Sequence, residues 1–400
     1  MTTQTLPITK PAEADFQTGE VLSIVGGHFI HDVYTAFIPP LLPVIIEKMS
    51  LSLTMAGSLT AFLQIPALLN PFIGYLADKV SLRYFVIFAP GVTATLISTL
   101  GFAPTYFSLA VLLFVTGISV AAFHAPAPAM IGRISGEKVG TGMSLFMAGG
   151  ELGRTVGPLL AVWAVSTWTL DGFWRVVLLG WAATLILFWR LRHISARPGI
   201  PGNIHAVVPL LRTLFLPLLL IAFFRNFMAV SLTIYLPTYM NGQGASLLIA
   251  GGSLSILELA GVGGSLASGT ISDRLGRKPV LLLGTILSAG IMLIFLNVSG
   301  WALVPVLIAL GLTVFSITPV MLAMVQEHMP QNRAVGNGLL MAMNFMVQLV
   351  SLLVIGIIGD RFGLRTAFLW SVPMYLLAIP AILALPGKPA WNSFIRPGQK

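Results

Sequence analysis

Runs of about twenty apolar residues recur along the whole of this 400-residue chain, divided by short polar links. A helix rises 1.5 Å per residue, so each run is long enough to cross roughly 30 Å of hydrocarbon. Barrel strands need only about ten residues and alternate in polarity, which excludes a β-barrel. Only 9% of residues are charged, 56% are hydrophobic and the mean hydropathy is +0.92, values foreign to a soluble domain. The pattern predicts an all-α integral membrane protein with twelve transmembrane helices. Their spans fall near 21–46, 53–77, 84–101, 106–131, 140–167, 174–192, 211–240, 246–271, 279–297, 301–327, 335–359 and 366–385. The opening "MTTQTLPITKPAEADFQTGE" lacks the basic-then-apolar order of a cleavable signal, so residues 1–20 read as a tail and the first helix as a retained anchor. The absence of cysteine excludes disulfides and thiolate metal sites.

Charge sets the expected orientation. With the N-terminus in the cytoplasm, most basic residues fall on the cytoplasmic side, and only Lys48, Arg175, Arg361 and Arg365 fall outside. Both termini, including residues 386–400, are then cytoplasmic. The net charge of +9 reads as this loop asymmetry and not as a nucleic-acid surface.

The chain also repeats itself. "GSLTAFLQIPALLNPFIGYLADKVSLR" (57–83) aligns with "GSLSILELAGVGGSLASGTISDRLGRK" (252–278), and "VGTG" (139–142) with "VGNG" (335–338), both at an offset of roughly 195 residues. Two six-helix bundles follow, 21–192 and 211–385, joined by a Pro- and Gly-containing link over 193–210. Paired repeats of this kind place a substrate site at the bilayer midplane between the halves.

"GTISDRLGRK" (269–278) resembles the signature loop between the second and third helices of each half in the major facilitator superfamily. It supplies Gly269, Asp273, Arg274, Gly276, Arg277 and Lys278. The N-terminal copy "GYLADKVSLR" keeps Gly74, Asp78, Lys79 and Arg83, with Ser81 in place of the second Gly. The Gly is expected to permit close helix approach, and the Asp to cap a helix or pair with an Arg. Gly153, Gly157 and Pro158 in "ELGRTVGPLLAV" are similar to the fifth-helix motif of the superfamily's antiporters, where small residues and a kink set how the helix packs and bends. Across nearly the whole chain, "GHFIHDVYTAFIPPLLP", "AAFHAPAPAMIGRISGEK" and "FRNFMAVSLTIYLPTYM" resemble the fosmidomycin resistance branch of that superfamily, a group of bacterial drug exporters. The likeness rests on His28, Asp32, Phe123, His124 and Arg225; His31, Glu151 and Arg154 depart from it.

Depth groups the charges physically. Asp32, Glu151, Arg154, Arg225 and Glu258 each lie roughly 16–21 Å into the membrane, counted from the helix starts. An isolated charge there costs about 2.5–3.5 kcal/mol on insertion scales, so each needs a partner or a wet cavity. His28, His31 and Asp32 share one helical face. Asp32, His28, Glu258 and Glu151 are therefore the candidate proton carriers, with His28 tuning Asp32. Glu151 and Arg154 form an internal pair, or Arg154 and Arg225 face the cavity toward an anionic substrate; Glu258 reads equally as a proton carrier and as the counter-ion of Arg225. Arg225, Arg154, His31, His124, Tyr34, Asn226 and Tyr235 are the candidate substrate contacts. His31 reads equally as a packing residue, and His124 as lining an inner vestibule or bonding backbone near the kink at Pro126 and Pro128.

No catalytic constellation and no phosphate-cradling loop is present, so the chain reads as a transporter, not an enzyme, driven by a proton gradient without cofactor or resident metal. The resemblance implies a monomeric, multi-pass protein of the bacterial cytoplasmic (inner) membrane. Its partners would be lipid, protons and a small molecule, the last a drug-like, anionic compound exported by proton antiport. Proton-driven uptake of an organic anion, export of a metal or its chelate through the His, Asp and Glu groups, and a non-transporting receptor are the alternatives.

Overall fold

The computed structural model describes residues 16–70, 72–73, 81–136, 138–194, 204–329 and 333–387. Ten helical rods in it are long and apolar enough to cross a membrane: α1 (Thr18–Met49), α3 (Arg83–Phe102), α4 (Tyr106–Ile134), α6 (Phe173–Leu191), α7 (Val207–Thr233, continued by Leu236–Gly242), α8 (Leu247–Leu275), α9 (Arg277–Phe295), α10 (Gly300–His328), α11 (which runs Arg333–Phe362) and α12 (Leu364–Ala384). The shorter α2 (Leu53–Leu69) and the 30-residue α5 (Val139–Trp168) complete the twelve expected rods. Observed ends differ from the expected spans by a few residues, with α1 and α7 extended at both ends.

Those breaks follow a pattern. α1 breaks after Thr35 before Pro39 and Pro40, α4 after His124 before Pro126, α7 after Thr233 before Pro237, and α10 after Val314 before Pro319. Proline lacks the amide hydrogen that would continue the ladder and crowds the preceding turn, so each rod bends there. The four kinked rods occupy equivalent places in the two repeats.

The first six helices form one bundle and the last six another. Within the first, α1 packs along α5, α3 along α6 and α4; within the second, α8 packs along α10 and α7 along α11 and α12. Between the bundles, α5 lies on α8 and α2 on α11, and the second segment of α1 meets the second segment of α7. The end at which the described residues begin, at Phe16, and stop, at Gly387, is the terminal face, and the opposite end is the far face. The contacts of α1 with α7 and the start of α2 with the end of α11 close the far face.

Candidate functional site

Small residues on α5 bring α1 close enough to build the site. A side chain at Gly150 would strike the His28 ring, one at Gly153 the Phe29 carbonyl, and one at Gly157 the Val33 carbonyl and Ala36. The Gly153 and Gly157 of the fifth-helix motif thus set the α1–α5 distance. Asp32 is buried at this contact.

Four cationic or ionisable groups from three helices surround its carboxylate. His28 Nε2 lies 3.4 Å from Oδ2 and His31 Nδ1 3.3 Å from Oδ1. His124 Nε2, from the end of the first segment of α4, lies 3.1 Å from Oδ1. Arg154 Nη1 lies 3.7 Å from Oδ2, and its Nη2 forms an ion pair with Glu151. Asp32, His28 and His31 are almost fully buried, whereas the side chains of His124 and Arg154 are 30% and 40% exposed.

The outer partners of the rings fix their proton positions. His28 Nδ1 sits 2.8 Å from the Phe146 carbonyl, which only accepts, so this nitrogen carries the hydrogen. His31 Nε2 meets Thr93 Oγ1 at 3.2 Å; Thr93 donates to Ser119 at 2.8 Å, and Ser119 to the Ala89 carbonyl at 3.4 Å. Thr93 has one hydrogen and gives it to Ser119, so His31 Nε2 must be the donor to Thr93. In the neutral form both rings then turn lone pairs toward Asp32, and His28 Nε2 has no hydrogen-bond partner. Lone pairs facing a carboxylate repel. A proton added to His28 Nε2 or to the carboxylate would turn that contact into a hydrogen bond, while Arg154 presents N–H groups to the carboxylate in every state. Stacking of His28 on Phe146 (centroids 3.9 Å apart) and His31 on Phe123 (4.5 Å) keeps the rings in place.

Donor atoms of His28, Asp32 and His124 lie within 4.8 Å of one another, a spacing open to a cation. The Arg154 guanidinium, 3.7 Å from the same carboxylate, is a fixed positive charge that opposes a divalent ion there.

Glu258 of α8 is buried, with Oε2 unpartnered, and interacts electrostatically with Arg154 and Glu151 across the interface between the bundles. The expectation that Glu258 pairs with Arg225 is corrected by this placement. Arg225 is buried within the second bundle, where Nη2 donates to the Val314 carbonyl (2.9 Å) freed by the break in α10; among the described residues no carboxylate pairs with it. Its electrostatic neighbour is the buried Tyr375 hydroxyl of α12.

Three of the expected substrate contacts hold the scaffold instead. The Tyr34 hydroxyl bonds the Val176 carbonyl and accepts from Gly180 N–H (3.0 Å), tying α1 to α6. Asn226 donates to Ala222 of its own helix at 2.9 Å. The Tyr235 hydroxyl sits between the carbonyls of Leu53 (3.2 Å) and Leu352 (3.0 Å) at the far face. Each polar group is spent on backbone, as low-dielectric surroundings demand.

Of the signature loop, Gly74, Asp78 and Lys79 lie outside the described residues. Arg83 donates to the Ile194 carbonyl at 3.1 Å. In the second copy Gly276 turns the chain at φ +91°, while Gly269 faces open space and makes no close helix approach. Arg277 pairs with Asp273 (2.6 Å) and with Glu327 of α10 (2.7 Å), and also bonds Ser272. Lys278 reaches the Leu383 carbonyl at 3.0 Å, and Arg274 is exposed. Thr93, Ser119 and Phe146, which orient the imidazoles, carry no motif; only the tertiary packing reveals them.

The model of the Major Facilitator Superfamily matches residues 24–344 and 264–400. The chain is 24% identical over 389 residues to the uncharacterized MFS-type transporter YfnC of Bacillus subtilis (strain 168), covering 91% of this chain and 92% of that protein. It is 25% identical over 382 residues to the fosmidomycin resistance protein of Escherichia coli (strain K12), covering 92% and 94%. Among solved structures, it resembles a bacterial homologue of the human lysosomal transporter Spinster in an inward-facing, unoccupied conformation, with a TM-score of 0.80 at 15% identity over 92% of this chain and 97% of the other. It also resembles a D-xylose-proton symporter, with a TM-score of 0.75 at 16% identity over 93% and 99%. With twelve helices in two related bundles and a family match along its length, the chain belongs to the Major Facilitator Superfamily of membrane transporters.

Proposed function

We propose that this transporter is a proton-coupled antiporter that exports a small, anionic, drug-like compound from a bacterial cytoplasm, with the terminal face cytoplasmic. The carrying observation is the buried Asp32 carboxylate ringed by His28, His31, His124 and Arg154, with the unpartnered His28 Nε2 facing it and leaving a place for an exchangeable proton. The likeness to a fosmidomycin resistance protein supports a cargo of this class.

Coupling follows from competition at one carboxylate. A cargo that sets its acid group on Arg154 and a hydrogen-bond donor on Asp32 needs that carboxylate unprotonated, so cargo and proton exclude each other. Glu151 and Glu258 flank Arg154 and would repel the cargo's acid unless they too exchange protons. Protons entering from the far side would discharge the cargo there, and their release to the cytoplasm would reset the site. A cargo bound through Arg154 alone would instead favour the protonated cluster, which is the linkage of a symporter.

Drug susceptibility and uncoupler-sensitive accumulation in an efflux-deficient bacterium test this reading, with a panel that includes fosmidomycin. The native chain protects and Asp32→Asn, at equal membrane abundance, does not; full protection by Asp32→Asn would remove the cluster from the mechanism. Cargo binding to the purified protein gives the coupling sign. Affinity falls as the pH is lowered for an antiporter; a rise on acidification would mean symport.

A further inference from the structure

At the far face one bundle caps a helix of the other. The first turn of α2 has backbone N–H groups with no partner in their own helix, as every helix start does. Ser52, the N-cap residue, accepts from Met55 N–H at 3.1 Å. The N–H groups of Leu53 and Thr54 are taken by Asp360, at the end of α11 in the other bundle, at 2.6 and 2.9 Å. The Thr54 hydroxyl adds a third bond to Asp360 at 2.5 Å. A carboxylate at this position also meets the positive end of the α2 dipole.

The surrounding packing is built for this contact. One turn before Asp360, Gly356 lets the α11 backbone press on Thr54, where a Cβ would come within 2.8 Å of the Thr54 Cα. Gly57, one turn further along α2, leaves room for the Tyr235 hydroxyl between the Leu53 and Leu352 carbonyls. The three bonds from α2 to Asp360 and the Tyr235 bond to the Leu53 carbonyl cross from one bundle to the other, so opening the far face breaks them together.

We propose that Asp360 is the far-face latch of this transporter, capping α2 in trans so that the far-closed conformation is favoured over the far-open one. Asp360 is exposed, so water replaces its partners when the latch opens, and the bias is moderate and reversible. A transporter needs such a bias, since a gate locked shut would not cycle. The inference requires neither the cargo nor the proton coupling proposed above.

The chain has no cysteine, so pairs of introduced cysteines report without background. Spin labels at Phe102→Cys and Trp301→Cys, at exposed far-face helix ends of the two bundles, measure far-face separation. Labels at Trp189→Cys and Leu275→Cys, both exposed, measure the terminal face. In detergent without cargo, Asp360→Asn raises the far-open population by roughly fivefold, the size expected for losing one charged cap. Gly356→Val, a wedge with no change of charge, shifts it the same way. In both, the terminal-face distances shorten reciprocally, which local fraying of α2 would not produce. Far-face distance distributions of Asp360→Asn and Asp360→Ala that superpose on the native one, in protein that elutes as native, would overturn the proposal. So would lengthening at the far face with no response at the terminal face.

Discussion

Asp32 illustrates how a carboxylate is kept inside a membrane. Alone at that depth it would be costly, yet it is ringed by three imidazoles and a guanidinium, and two of the imidazoles are turned by a polar group behind them. The Phe146 carbonyl does this for His28, and the Thr93–Ser119 chain for His31. Thr93→Val keeps the shape but leaves His31 Nε2–H without an acceptor. The expected loss is about 1–3 kcal/mol, seen as a lower melting temperature in detergent. His28, His31 and Asp32 were legible on one helical face from their spacing alone. His124 was not assigned to them, because the break in α4 and its approach to α1 are decided by packing. Arg225 shows the reverse: equal depth suggested a partnership with Glu258, but each faces a different neighbour.

At the scale of elements, glycine and proline do most of the organising. The α5 glycines admit α1 to backbone distance, and prolines break α1, α4, α7 and α10 part-way along their length. Gly153→Val collides with Phe29 and Asp32 across that contact and is expected to destabilise the protein by about 1–3 kcal/mol, as overpacking does. Thermal unfolding in detergent measures this, and an unchanged midpoint would show that α1 and α5 separate more easily than their packing implies. The signature loop of the second half behaves differently. Its Arg277 links Asp273 to Glu327 on the partly exposed terminal face, so Arg277→Gln is expected to cost less than about 1 kcal/mol. Glycine's role at Gly276 was readable, since a tight turn at positive φ admits little else; that Gly269 would stand in open space was not.

On the scale of the whole molecule, two bundles meet through bonds at the far face and through α5 and α8 around the charged layer. Arg277 and its partners all lie within one bundle and move with it. Arg277→Gln should therefore leave the spin-label distances between bundles unchanged, in contrast to Asp360→Asn, and a shift of similar size would mean that the loop on α8 and α9 also sets the facing equilibrium. The charged layer lies between the closed far face and the terminal face. A cluster in that place can be exposed to either side in turn by one rocking movement, which is what alternating access requires.

Twelve membrane spans, the duplication and the family were determined by the sequence itself, because they depend on run length, periodic recurrence and a local loop motif, all of which survive without knowledge of contacts. The burial cost of charge likewise marked Asp32, Glu151, Arg154, Arg225 and Glu258 before any fold was known. Only the tertiary structure decided which of them meet. Helical spacing says which residues share a face, but not which helix that face will touch; His124 joining Asp32, Glu258 facing Arg154, and Asp360 capping α2 from more than three hundred residues away all arise from packing between helices distant in the chain.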